Sequence, residues 1–375
     1  MSEQTAYSVG MEEEYFVFDR RTRKAVGKLD AKFLADAKKA LGDRVMTEML
    51  QSQIEVVTPV CTSMAQARAY LAEYRTTLAT AAARRKLGIA ACGSFPLAFL
   101  SEQTLTPAAR YDKILDDLQM IAMRNMLCGM HVHVGVPDVS TRINLIMRLT
   151  PYLPLLLALS SSSPFWQGNA TGLHAYRLAA YDELPRTGLP ELFRTNEEYR
   201  EYITALAAAN IIPDESYIWW AVRPSKNYPT VELRVADSVT RLDDAIAIAA
   251  LFRCLVRGLD RNREVNAGFD RVARAITAEN KWRAQRHGIE ATFVEPMRRA
   301  PITAKDWLEE TFAFVREDAA ALQCEREIAH LHRIISVGTS ADAQIAAFEK
   351  ARKKGKGLTA LKPVVDWLAQ ETANV

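Results

Sequence analysis

Residues 8–18, SVGMEEEYFVF, form a run of aromatic and β-branched side chains with no helix cap, leading from a glycine region into the basic turn RRTRK. That pattern predicts a strand. Residues 53–57, 89–95, 131–136, 217–223 and 230–237 are further short apolar runs bounded by Gly, Pro or polar turns, and they predict five more strands. The last two are joined by PSKNYP, a hairpin or wide turn. Between the strands the pattern becomes helical. Residues 30–41 open on Asp30 and stop before Gly42, and Ser63 caps a long alanine-rich pattern through Lys86 that stops at Gly88. Helical patterns also cover 108–127, 141–159 and 197–210. The stretch 160–190 collects Ser, Pro, Gly and Asn with aromatics and arginines, a loop of the length that often serves as a lid or binding loop.

From Leu242 onward the pattern is almost wholly helical, with one break at SVGTSADAQ, residues 336–344, and a solvated turn at ARKKGKG, residues 351–357. About six strands in the first two thirds, interleaved with helices and followed by a helical last third, give an α+β fold. With no repeat and no linker, 1–375 reads as a single catalytic domain: a strand-containing core over 8–240 and a helical section over 241–375.

Composition narrows the function. Hydrophobic residues at 49% and charged residues at 25% match ordinary globular usage, which excludes disordered, collagenous and coiled-coil chains. The net charge of +3 is too small for the field of a nucleic-acid binder. The five cysteines are scattered and never in CxxC, so they read as reduced thiols rather than a disulfide framework or zinc ribbon. No basic segment followed by an apolar run opens the chain, and the longest apolar stretch, Tyr152 to Leu159, contains Pro154 and is far shorter than the ~20 residues of a membrane span. The expectation is a soluble, cytoplasmic protein without membrane or nucleic-acid partners.

Glu12, Glu13 and Glu14 lie inside a strand pattern, so Glu12 and Glu14 share one face and Glu13 takes the other. Paired carboxylates repel unless a cation or a proton lies between them, and hard oxygen ligands suit Mg²⁺. The alternative is an edge strand whose glutamates face water. Glu55 in QIEVVTP and Glu232 in TVELRVADS are carboxylates in other apolar strands; if those strands are neighbours, the four acids line one face able to hold divalent ions. Arg234 projects to the same face as Glu232 and could neutralise it or hold a phosphate or carboxylate. GMHVHVGV places His131 and His133 on one strand face, a pattern that also suits a metal hydrolase, although His174, His287, His330 and His332 form no obvious ligand cluster. GxxxxGK[ST], GxGxxG and GxSxG are all absent, so any nucleotide would have to be held by metals and by arginines such as Arg177, Arg223 and Arg234.

GMEEEYFVFD, GMHVHVGVPD, SSSPFWQGNATGLHAYR, YIWWAVRPSKNYPTVELRVADS and ENKWRAQRHG occur in the order and rough spacing of the carboxylate-amine ligases of the second glutamate–cysteine ligase family, with a weaker echo at GTSADAQ. The resemblance runs from about residue 8 to 290. It implies a glutamine-synthetase-like fold, a curved antiparallel sheet of about six strands with helices packed outside and the site on the concave face. It also implies ATP-dependent ligation of glutamate or another carboxylate to cysteine or another small amine through an acyl phosphate, with ATP and Mg²⁺ as cofactors and a homodimer as assembly. Carried over by motif, Glu12, Glu14, Glu55 and Glu232 look like metal ligands, His131 or His133 would sit by metal or phosphate, and Arg234 would contact the transferring phosphoryl group. NATG, residues 169–172, departs from the pattern by carrying Ala170 where an acid is expected. Alternatives from other classes are a phosphotransferase of the same fold, a metal-dependent hydrolase using the HxH pair, and a non-catalytic binding protein on the same scaffold.

Overall fold

The structure is a computed structural model that describes residues 6–353, 355 and 357–375, with the backbone alone for Arg110. The turn expected at 351–357 falls partly on Lys354 and Lys356, outside the described residues.

The chain begins with the 11-residue strand β1 (Val9–Asp19), whose first half alternates buried and half-buried positions. Helix α1 (Ala31–Leu41) is capped by the Asp30 side chain on the Phe33 amide and stops at Gly42. The short β2 (Val45–Thr47) and β3 (Gln53–Val57) follow, then α2 (Met64–Ala83), capped by Ser63, and β4 (Leu87–Ala90). Next come α3 (Ala109–Leu118), α4 (Met120–Met123) and β5 (Met130–Gly135). The helical stretch α5 (Arg142–Leu149) and α6 (Leu153–Ser160) leads into a hairpin of β6 (Phe165–Trp166) and β7 (Asn169–Ala170), then α7 (Tyr176–Tyr181) and α8 (Asn196–Ala208). Strands β8 (Val222–Pro224) and β9 (Thr230–Leu233) precede α9 (Leu242–Arg261) and α10 (Arg271–His287). A hairpin of β10 (Thr292–Glu295) and β11 (Ala300–Thr303) precedes α11 (Ala304–Ala321), α12 (Glu325–Val337), α13 (Ser340–Arg352) and α14 (Lys362–Ala373).

The main sheet runs β2-β3-β1-β5-β9-β8, with β4 alongside the far half of β1, and every pairing in it is antiparallel. This is the expected antiparallel α+β architecture. β1 is central, so the edge-strand reading of its glutamates does not hold. On the face away from the acids, α2 packs on β1 and β4, and α9, buried along most of its length, packs on β5 and α2. One apolar core runs through all of these, from Val9 to Leu368.

Several boundaries differ from the sequence pattern for local reasons. α2 ends at Ala83, and Gly88 lies inside β4, where the Phe18 ring occupies the space a Cβ would need. The strand expected at 89–95 therefore starts two residues earlier and gives way to a buried loop after Ala90. The helical pattern over 108–127 breaks at Gln119, whose φ is 49°. The apolar run at 217–223 forms a strand only over its last residues, because 215–217 make a 3-10 turn. The expected 160–190 loop is no free lid: Ser160 to Trp166 are buried, and the segment contains β6, β7 and α7. The β10–β11 hairpin is missing from the sequence reading, as its four-residue strands, one containing Pro301, carry too little pattern.

Continuous helical turns through Val139–Ser160 make that segment longer than the apolar run suggests. An 18-residue window of it has a mean hydropathy of 1.4, so it is long and apolar enough to cross a membrane, but 89% of that window is buried inside the fold. It packs there against α9 and α10 as a core helix. All five cysteines are free and buried, and the thiols of Cys254 and Cys324 lie 3.4 Å apart.

Candidate active site

Strand register assembles the site. Glu12 faces His131 across β1 and β5, Glu14 faces Glu55 across β1 and β3, and Glu232 is flanked by His133 on β5 and Arg223 on β8. Alternation puts these side chains on one face, and Arg234, two residues past Glu232, joins them. Glu12, Glu14, Glu55, His131, Arg223 and Arg234 line a cavity of about 530 Å³ together with Arg177 and Tyr181 of α7 and Trp219, whereas Glu232 and His133 share the face without lining the cavity.

The side chains fall into two groups. On the β2-β3-β1 side, one ligand atom each of Glu12, Glu55 and His131 lies within 4.8 Å of the others, and the same holds for Glu14, Glu48 and Glu55. His131 Nδ1 is 3.0 Å from one Glu12 oxygen and His133 Nε2 is 3.1 Å from the other, while His133 Nδ1 meets Thr230 Oγ1 at 3.0 Å. The Gly129 amide donates to Glu14 at 2.6 Å. A Cβ on Gly129 would run into the Arg177 guanidinium, so any larger residue there would displace that side chain from its place in the site.

On the β9-β8 side, Arg223 grips Glu232 with two hydrogen bonds of 2.7 and 3.1 Å, and Arg234 adds a third of 2.5 Å. Glu232 is thus brought to the same face but held by guanidiniums, outside both groups of potential metal ligands. Arg177 donates to the carbonyls of Arg234 and Ala236, each at 3.2 Å, which fixes it against the end of β9. Its loop is anchored in turn by the buried Asp237, which accepts from the Ser162 amide and the Ser163 hydroxyl. The GTSADAQ echo supports the same loop through Gln344, which donates to the Ser162 carbonyl at 2.8 Å. Ala170 is exposed and does not line this cavity.

Glu48, one residue past β2, was not visible in the sequence. A three-residue strand shows no alternation, and the only signal was an isolated acid among apolar residues in VMTEML. His174 pairs with Asp342, His330 with Asp244 and His332 with Glu309, so among the described residues His131 is the one histidine that joins a potential ligand group.

The electrostatics separate the acids. Burial would raise the Glu12 carboxyl, but the His131 and His133 hydrogen bonds outweigh it and hold Glu12 well below the usual range. Burial of Glu232 is outweighed by Arg234 and Arg223, which bring it down to about 2. Burial and the Glu14 charge push Glu48 up to about 7, and burial with Glu48, Glu12 and Glu14 pushes Glu55 well above its ordinary value. Burial also depresses His131 to about 4, with Arg234 adding to it, so this ring is neutral at pH 7 and can offer a lone pair. His131 Nε2, Arg177 Nε and Arg234 Nε are buried with no hydrogen-bond partner among the described residues. Buried polar atoms without partners are rare, and these three belong to side chains that line the cavity.

The acid cluster has a measurable consequence. A carboxyl that keeps its proton in the fold and loses it on unfolding makes the fold less stable as pH rises from its ordinary to its raised value. Glu48 and Glu55 act in that sense. His133 does too above its ordinary 6.5: burial is outweighed by Glu12 and Glu232, which raise it. His131 acts oppositely, but only between about 4 and 6.5. In chelator, the melting temperature should therefore fall by about 2–5 °C from about pH 6.5 to about pH 8, and Mg²⁺ should reverse most of the fall. A flat melting profile over that interval would contradict the buried acid pair.

The profile of glutamate-cysteine ligase family 2 (GCS2) matches residues 8–360. The chain belongs to glutamate-cysteine ligase family 2. A Bradyrhizobium diazoefficiens protein named "Putative glutamate--cysteine ligase 2" is 45% identical over 366 residues, covering 98% of this chain and 84% of the relative. A Rhodospirillum rubrum protein of the same name is 42% identical over 372 residues, 98% of this chain and 96% of the relative. Among solved structures, glutamate–cysteine ligase of Francisella tularensis in complex with AMP superposes with a TM-score of 0.71 at 12% identity, covering 98% of this chain and 89% of that one. A bifunctional glutathione synthetase from Pasteurella multocida gives a TM-score of 0.71 at 15% identity over 99% of this chain and 53% of that one. Membership of glutamate-cysteine ligase family 2 places the chain among the carboxylate–amine ligases, and the structural likeness supports the fold.

Proposed function

We propose that this protein uses ATP to join a carboxylate, with glutamate as the leading acid, to cysteine or another small amine through an acyl phosphate, and that 1–375 acts as one catalytic domain. The observation that carries this reading is the division of a single cavity into a carboxylate group and a guanidinium group on neighbouring strands. Joining a carboxylate to an amine in water is uphill, so the acid is first activated by phosphoryl transfer, and no protein nucleophile is needed.

The donor set fits hard divalent cations: Glu12, Glu14, Glu48, Glu55 and the neutral His131 supply oxygens and one ring nitrogen, and the crowding that keeps protons on Glu48 and Glu55 is what a cation would relieve by taking their place. Bound there, Mg²⁺ would neutralise charge on the phosphates. Arg234, pinned by Glu232 and by Tyr181 at 3.3 Å, keeps its Nε free to donate to the transferring phosphoryl group. Glu232 acts by holding Arg223 and Arg234 in place. Arg177 and Arg223 bind anionic groups of the nucleotide or the acid substrate.

Arg234→Lys should lower turnover by about 10²-fold, since a point-charge ammonium cannot reproduce the planar fork that holds Glu232 and Tyr181 through two nitrogens and leaves Nε for a phosphoryl oxygen. Wild-type rates in this variant would remove Arg234 from the chemistry. The reading itself is tested by phosphate release from Mg-ATP with single amino acids and with acid and amine pairs, with mass spectrometry for the condensed product. Release that needs both partners and yields an amide supports it. A phosphorylated acid or amine without amide would indicate a phosphotransferase. No nucleotide turnover, with stoichiometric zinc or iron in the protein, would favour hydrolysis through the HxH pair.

A further inference from the structure

One wall of the cavity differs from the rest. Helix α3 contributes Tyr111, Ile114 and Leu118, at the i, i+3, i+7 spacing of a single face, and just beyond it lie Ala122 and Leu127. The other side of α3 carries Asp112, Lys113, Asp116 and Asp117, all exposed, with Lys113 and Asp117 paired. None of the described side chains of α3 is fully buried, and its first residue has no side-chain cap. The helix is held by its ends. Before it, Thr106 donates through its amide to Met49 and through its hydroxyl to the Glu48 carbonyl at 2.6 Å. Tyr111 donates to the Thr47 carbonyl at 3.3 Å. Beyond α4, Arg124 pairs at 2.9 Å with Glu183, next to the cavity-lining Leu184. The segment is thus an apolar strap beside an acidic cluster, tied to β2 at one end and to the loop after α7 at the other.

Neither metal binding nor phosphate binding requires an apolar strap. Exclusion of water does. We propose that the Tyr111, Ile114 and Leu118 face of α3 is the water-excluding wall of the reaction chamber and decides whether an acyl phosphate is captured by the amine or by water. The proposal rests on the acyl-phosphate reading above. In the productive branch the neutral amine attacks the acyl carbon, the C–N bond forms, the C–O bond to phosphorus breaks, and phosphate leaves with that electron pair and the proton of the nitrogen. In the wasteful branch water attacks, the same C–O bond breaks, and the products are the original carboxylate and dihydrogen phosphate. Both branches release one phosphate, and only the first makes an amide, so the ratio of the two products reports the wall.

The test is Ile114→Ser with Leu118→Ser, measuring phosphate and amide in the same reaction with the acid and amine pair that the wild type joins. Phosphate release should persist, and amide per phosphate should fall from about one to below about 0.3 as water gains access. The conservative Ile114→Val variant should keep the wild-type ratio. Leu118→Ser alone carries the same readout should the double variant melt early. An unchanged ratio in a folded serine variant overturns the proposal, and so does a parallel loss of phosphate and amide, which would place α3 in the chemistry of activation instead. A wild type that forms no amide with any pair counts against the ligase reading itself, before any variant is made, and takes this proposal with it.

Discussion

Glu12→Gln is expected to lower amide formation by roughly 10³-fold while the protein stays folded. Among the described residues Glu12 is the one carboxylate engaged by both histidines, with His131 at 3.0 Å on one oxygen and His133 at 3.1 Å on the other. It also contributes to the ligand group with Glu55 and His131. The amide keeps the shape of the carboxylate but removes its charge and one of its two acceptor oxygens, so a cation held there loses a full unit of opposite charge and one ring nitrogen loses its partner. Because the carboxylate sits in a partly open cavity rather than in the apolar core, the melting temperature should move by no more than about 2 °C. The measurement is amide formation as a function of Mg²⁺ concentration, beside a melting curve. Turnover within tenfold of the wild type at saturating Mg²⁺ would remove Glu12 from the site.

How much of this was legible in the sequence depended on the length of each element. Eleven residues of β1 were enough for alternation to assign Glu12 and Glu14 to one face and Glu13 to the other, and the structure keeps that division: half-buried at 12 and 14, fully buried at 13. What alternation cannot give is the neighbour. That Glu14 faces Glu55, and Glu12 faces His131, follows from register between strands tens of residues apart. The family resemblance supplied that information by grouping the motifs, and the geometry now supplies its physical content. The same limit hid Glu48 and the β10–β11 hairpin, whose strands of three or four residues complete no more than two periods. For Glu232 the sequence showed a carboxylate two residues from an arginine, and only the fold shows Arg223 completing a two-sided clamp.

The pair Glu13 and Arg75 lies on the opposite face of β1 and should give the largest stability effect in the molecule. Both side chains are 0% exposed, and Arg75, from α2, meets the carboxylate with two hydrogen bonds of 2.7 and 3.0 Å. The Tyr15 hydroxyl also donates to Glu13, and Arg75 caps the carbonyls of Val239 and Thr240 at 2.8 and 2.7 Å. The guanidinium thus joins the central strand, α2 and the segment leading into α9. Arg75→Leu leaves a buried carboxylate opposed by a tyrosine alone and two carbonyls without donors, at a cost of about 3–5 kcal/mol. Glu13→Leu leaves the cation uncompensated and should cost a similar amount. The double variant removes both charges, so its loss should be smaller than the sum of the single losses by about 2 kcal/mol or more, without returning to wild type, because the two carbonyls remain unpaired. Urea unfolding of the four proteins gives the cycle. Additive losses would mean that the two charges act independently, and that β1 is held in place by its apolar neighbours alone.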